Sequence, residues 1–86
     1  MKVQGAAVSL GGKNFVVVLV GMEMVGSPGE ADMAIDAMRP AFGGVPVVLM
    51  AQNEKGSPTY YGDEDLVRLL AGVPVDEMPW KEYPVG

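Results

Sequence analysis

Apolar residues along this chain gather in short dense runs separated by Gly and Pro, and their period changes from run to run. Met1 to Leu10 has strand-like composition, interrupted by Gly5 and Ala6-Ala7. Gly11-Gly12 between two apolar runs predicts a tight hairpin, because both residues tolerate positive φ. Phe15 to Val20 reads Phe-Val-Val-Val-Leu-Val and predicts the strongest strand, since valine is stiff at χ1 and favoured in sheets. Strand periodicity turns Phe15, Val17 and Leu19 to one side and Val16, Val18 and Val20 to the other. Both sides are apolar, so both need cover.

Between Gly21 and Gly26, Met22, Met24 and Val25 extend the strand or form a bulged edge. A helix then starts. Ser27 is placed as its N-cap, Pro28 as its first residue, and Glu30 completes a capping box. Ala31, Ala34, Ile35 and Met38 form one apolar stripe at helical spacing. Arg39 sits in the last turn, Pro40 stops the helix, and Ala41-Phe42 packs back before Gly43-Gly44. Val45 to Ala51 predicts a second buried strand with Pro46 at its start. A polar hairpin loop, Gln52 to Ser57, leads to a short returning strand, Pro58 to Gly62. Asp63 caps a second helix, whose apolar side is Leu66, Val67, Leu69 and Leu70 and whose stop is Gly72. Val73 to Gly86 holds Pro74, Pro79 and Pro84 with Trp80 and Tyr83, which predicts a docked Pro-rich tail.

The order strand-strand-helix, twice over, gives an α+β fold, ββαββα. The expected architecture is one domain with a four-stranded mixed sheet and both helices mainly on one face. The crossover from the second strand to the third makes those two parallel.

Composition narrows the chemistry. The chain has 86 residues, of which 49 % are hydrophobic and 20 % charged, a globular balance. A single chain of this size buries about 60–65 % of its unfolded surface, so oligomerisation is an expected support. The net charge of −5 argues against a nucleic-acid clamp and a polybasic membrane binder. No cysteine and no histidine occur, which removes disulfides, thiolate metal sites, cysteine redox chemistry and the usual general base. The longest apolar run is far short of the roughly 20 residues that span a bilayer. The N-terminus does not read as a secretory signal, so a cytoplasmic setting is expected.

Two resemblances rest on particular residues. Gly44-Val-Pro-Val-Val-Leu-Met50, then Pro58-Thr-Tyr-Tyr-Gly62, then Asp65-Leu-Val-Arg-Leu-Leu70, resembles the C-terminal half of thioredoxin- and glutaredoxin-type domains. That resemblance implies a local ββα unit and makes a truncated thioredoxin-like α/β arrangement the alternative fold. In that family the proline is cis and faces the substrate; the matching position is Pro46. The redox Cys-x-x-Cys has no counterpart, so no redox activity is carried over. The pattern Pro-Val-Val-Leu-Met-Ala-Gln, Pro-Thr-Tyr-Tyr-Gly and Pro-Trp is also similar to short uncharacterised bacterial proteins, which implies a bacterial origin and no activity.

Candidate chemistry is sparse. Asp63, Glu64 and Asp65 have the type of oxygen that holds a hard cation, but their place at a helix start explains them without one. No metal and no cofactor is expected. The Gly-rich spots match no phosphate or dinucleotide fingerprint, and Ser9, Ser27 and Ser57 lack a histidine partner. Gln52, Asn53, Tyr60, Tyr61 and Asp63 form the candidate ligand-binding group: amides and phenols on a loop and its adjoining strand. An ordinary solvated hairpin accounts for the same residues. Seven methionines is a high count, and Met22, Met24 and Met78 fall outside the clearest core positions. Trp80 and Tyr83 are candidate interface anchors.

Two helices on one face would leave the other to be covered by the Pro-rich tail or by another subunit, and a tail with three prolines is a thin cover. The expectation is therefore a homo-oligomer, most simply a two-fold dimer, with Val16, Val18, Met22, Met24, Trp80 and Tyr83 at the contact. Two function classes follow. One is a non-enzymatic interaction or regulatory module with a protein partner or a second copy. The other is a small-ligand binder or carboxylate-dependent enzyme with a site near Gln52–Asp63 at a subunit boundary.

Overall fold

Gly11 and Gly12 have φ of 56° and 77°, the left-handed pair that a two-residue hairpin turn requires. They join β1 (Lys2–Leu10) to β2 (Lys13–Leu19) in antiparallel register, with Leu10 opposite Lys13 and Gly5 opposite Val18. The computed structural model describes residues 2–85; Met1 and Gly86, the ends of the expected first strand and tail, lie outside the described residues.

The Val20 N–H still donates to the Met50 carbonyl at 2.8 Å, and there the ladder ends. Met22–Val25 form a single helical turn, α1, instead of the expected extended edge. Met-Glu-Met is made of good helix formers, which is the local reason for the difference. α2 (Pro28–Met38) follows, with the Ser27 carbonyl accepting from the Ala31 N–H at 2.9 Å. The expected capping box does not form. Ser27 makes no side-chain cap, its ψ of 85° falling short of the extended value from which a hydroxyl reaches the first-turn N–H groups. The expected apolar stripe is present: α2 buries Ala31 and Met38 and half-buries Ala34 and Ile35. A 3-10 turn, Arg39–Phe42, then brings Phe42 back against the sheet.

β3 (Val47–Gln52) runs parallel to β2, with Val16 opposite Val47. Pro46 stands just before it, in a trans peptide, and its carbonyl accepts from the Val16 N–H at 3.0 Å. β4 (Pro58–Tyr61) returns antiparallel, and α3 (Glu64–Leu70) is capped by Asp63, whose carboxylate accepts from the Asp65 N–H at 2.9 Å. A short turn, Val75–Glu77, leads to β5 (Trp80–Pro84), antiparallel to β1 with Val3 opposite Tyr83.

The fold is α+β with a five-stranded mixed sheet in the order β4-β3-β2-β1-β5. Two expectations are corrected. The tail contributes a fifth strand, so the sheet is not four-stranded. The helices also lie on opposite faces. α2 packs with Val16, Val18, Val47 and Leu49, whereas α3 packs with Phe15, Val17, Val48 and Met50. Topology supplies the reason: β4 and β5 are the two outer strands, so the chain between them must traverse a face, and α2 already occupies the other. Both faces of β2 are thus covered within one chain, and Val16 and Val18 are 5 % and 0 % exposed. Met78 is likewise core, packed on the α3 side. No helix among the described residues is long and apolar enough to cross a membrane.

Candidate functional site

The five residues singled out on the β3–β4 hairpin divide into three places. Gln52 and Asn53 build the loop itself. Asn53 Oδ1 accepts from the Lys55 and Ser57 N–H groups at 2.9 and 3.0 Å, and Gln52 Nε2 donates to the Gly56 carbonyl at 3.2 Å. Both amides are exposed, and both are engaged in holding the turn.

Tyr60 and Tyr61, being adjacent in a strand, face opposite sides. Tyr60 lies on the α3 side beside Val67. Its ring is half-buried, but its hydroxyl is shielded and has no hydrogen-bond partner in the protein. Burial raises its pKa above the ordinary 10.0. Tyr61 lies on the α2 side. Its hydroxyl donates to Asp32 Oδ1 at 2.9 Å, with the Pro28 carbonyl at 3.4 Å. Its pKa is also raised, first by that hydrogen bond, then by burial and by the Asp32 charge.

Tyr61 and Asp63 do come together, in a cleft of about 360 Å³ completed by Asp32 and Ile35 of α2, by Arg39 just after it, and by Pro46 and Val47. Gly62 lets the chain turn there: a Cβ on it would meet the Val48 Cα at 3.3 Å. Arg39 Nη2 donates to the Gly44 carbonyl at 3.2 Å, and Asp63 is committed to its cap. The acidic run after Gly62 is spent on local pairs. Asp65 lies 3.8 Å from Lys13 and 3.8 Å from Arg68, and Glu64 lies 4.0 Å from Arg68. No group of three acidic side chains among the described residues is arranged to hold a metal ion.

A different opening lies on the α2 side, where sequence reasoning placed no site. α2 covers β2 and β3 but stops short of β1, whose Ala7 and Ser9 remain exposed on that side. The result is a groove of about 430 Å³, lined among others by Ala7, Ser9, Asn14, Val16, Phe42 and Tyr83. None of its lining residues is charged. The Phe42 and Tyr83 rings meet edge to face, their centroids 5.0 Å apart. Lys81 Nζ stands 5.2 Å from the Tyr83 ring centre. The small residues at every second position, Gly5, Ala7 and Ser9, were the signal available in the sequence.

The expected interface residues are equally divided. Val16 and Val18 belong to the core, and Met24 is packed against it. Met22 is 45 % exposed on α1. Trp80 is half-buried on the α3 side, with its indole N–H donating to the Val75 carbonyl at 2.8 Å. Tyr83 forms one wall of the groove. Comparison with protein-family models, curated proteins and solved structures gives no match to this chain.

Proposed function

We propose that the chain is a small non-enzymatic interaction module that acts as a homo-oligomer, most simply a two-fold dimer, in a cytoplasmic setting. The observation that carries this reading is the charge-free groove beside α2, walled by Phe42 and Tyr83. Interface cores are depleted in charge and enriched in aromatic side chains, and the groove has that composition. The distribution of acids supports the same reading. All eleven Asp and Glu side chains are exposed, so none is buried in the interior of the chain. The test is the solution mass by light scattering on a sizing column over at least a tenfold concentration range. A mass of twice the chain is expected, and a single-chain mass throughout would overturn the self-association.

A second reading rests on the Tyr61 cleft. A phenol, a carboxylate and a guanidinium around about 360 Å³ suit a small polar ligand bearing both donors and acceptors. That reading predicts that a ligand raising the melting temperature of the wild-type protein loses its effect in Tyr61→Phe. A library of small polar metabolites that shifts neither protein would count against it.

A further inference from the structure

We infer that the Tyr61 cleft takes a free basic amino acid of the lysine class, with its carboxylate on Arg39 and its two ammonium groups on Asp32 and Asp63. The inference rests on the second reading above and names the ligand class of that cleft.

Spacing along the helix builds one wall. Asp32, Ile35 and Arg39 stand at i, i+3 and i+7, and Arg39 keeps helical backbone angles, so the three share one face. Seven residues are two turns, which starts the Asp32 carboxylate and the Arg39 guanidinium from backbone positions about 10 Å apart along the axis. Ile35 lies between them. The opposite wall is Pro46 and Val47 at the start of β3, Tyr61 at the end of β4, and Gly62 and Asp63 just after it.

Each charged group is held to the fold by one bond and keeps other polar atoms for a visitor. Asp32 Oδ1 accepts from the Tyr61 hydroxyl, which leaves Oδ2. Asp63 Oδ1 accepts from the Asp65 N–H, which again leaves Oδ2. Arg39 Nη2 donates to the Gly44 carbonyl, which leaves Nε and Nη1. None of the three is ion-paired with another described residue, unlike Glu64, Asp65 and Arg68 nearby. Side chains already held in place lose less freedom when a ligand arrives.

Charge then selects the class. Two carboxylates and one guanidinium are complemented by two cations and one anion on a single molecule. A neutral amino acid has one cation too few, and a diamine lacks the anion. Distance agrees, because Asp32 and Arg39 stand two turns apart and suit charges at the two ends of a chain. Ile35, Pro46 and Val47 offer apolar surface to the methylenes of such a chain. A volume of about 360 Å³ belongs to the small end of ligand pockets.

The experiment titrates the wild-type protein with L-lysine, L-norleucine and 1,5-diaminopentane and follows backbone amide shifts by nuclear magnetic resonance. Norleucine lacks only the terminal ammonium, and the diamine lacks only the carboxylate. The three charged side chains are exposed, and exposed pairs contribute little, so a lysine dissociation constant on the order of 1 mM is expected. Lysine should shift residues 32–39 and 61–63, and each analogue should bind at least threefold more weakly. Asp32→Asn should remove the preference for lysine over norleucine, and Arg39→Gln the preference for lysine over the diamine, with circular dichroism confirming that each variant is folded. Either analogue matching lysine on the wild type would overturn the inference, as would folded variants that keep both preferences. Lysine shifts spread over the acids of α1, the β3–β4 loop and β5 would overturn it too. If lysine does not bind while another small polar molecule loses its stabilising effect in Tyr61→Phe, the ligand class fails and the cleft reading stands. If neither binds, both fail.

Discussion

The Tyr61 hydroxyl donates to Asp32 at 2.9 Å and so ties the end of β4 to the N-terminal half of α2. Its neighbour Tyr60 has the opposite circumstance: a shielded hydroxyl with no partner in the protein. Removing one oxygen should therefore have opposite consequences at adjacent positions. Tyr61→Phe is expected to lower the melting temperature, because Asp32 loses its donor. Tyr60→Phe is expected to leave stability unchanged or to raise it by up to about 1 kcal/mol, because an unsatisfied buried hydroxyl is relieved. Thermal and chemical denaturation of the two variants checks the sign of each.

Alkaline titration reads the same pair. Both phenols sit above the ordinary 10.0, Tyr61 chiefly through its hydrogen bond to Asp32 and Tyr60 through burial. In the unfolded chain a phenol ionises near pH 10. The stabilisation linked to these raised values is complete below that pH and is lost as pH rises through the folded values. Absorbance near 295 nm should show Tyr60 and Tyr61 ionising later than free tyrosine. In Tyr61→Phe the late absorbance change should lose the part that Tyr61 supplies. Ionisation of Tyr60 and Tyr61 at the free value would contradict the placement of both rings.

Val18 separates a core role from an interface role. It is fully buried between β2 and α2 within one chain. Val18→Asp should abolish cooperative folding at every protein concentration, since a lone buried carboxylate costs several kcal/mol. Val18→Ala should cost about 1–3 kcal/mol. A Val18→Asp protein that stayed folded as a single chain would place this residue at a surface.

Trp80, the single tryptophan, reports the tail. Its indole N–H bonds the Val75 carbonyl, and its strand closes the outer side of β1. Fluorescence and circular dichroism should therefore lose their native signals at one denaturant midpoint. Trp80→Phe should lower that midpoint through loss of the hydrogen bond and packing, by about 1–3 kcal/mol. An earlier fluorescence transition would mean that β5 unfolds separately from the sheet.

The parts of the fold that could be read from the sequence are those where one local rule dominates. Gly11-Gly12 marks the first hairpin, the three valines Val16 to Val18 mark β2, and Asp63 marks the start of α3. β5 was hidden because Pro79 and Pro84 bracket it and its two large apolar residues, Trp80 and Tyr83, fall on opposite faces. No alternation survives in such a strand. Missing β5 also displaced α3, since only a strand at the far edge obliges the chain to cross the second face. α1 was hidden by its flanking glycines, although Met-Glu-Met carried a helical signal. Among the candidate ligand residues, the sequence placed Tyr61 near Asp63 but could not bring in Asp32 of α2 and Arg39 of the turn that follows it. The groove was invisible for a similar reason. It exists where α2 stops short of β1, and helix placement is a tertiary fact.

The proposed self-association is expected to use the groove over β1. A dilution series of amide-resolved nuclear magnetic resonance spectra tests it most directly. Concentration-dependent shifts are expected at Ala7, Ser9, Asn14, Phe42 and Tyr83, with Gln52 to Ser57 and the outer-strand residues Tyr60 and Glu82 unmoved. Shifts centred on Tyr60, Glu82 or the β3–β4 loop, or spectra that do not change on dilution of a single-chain species, would contradict it.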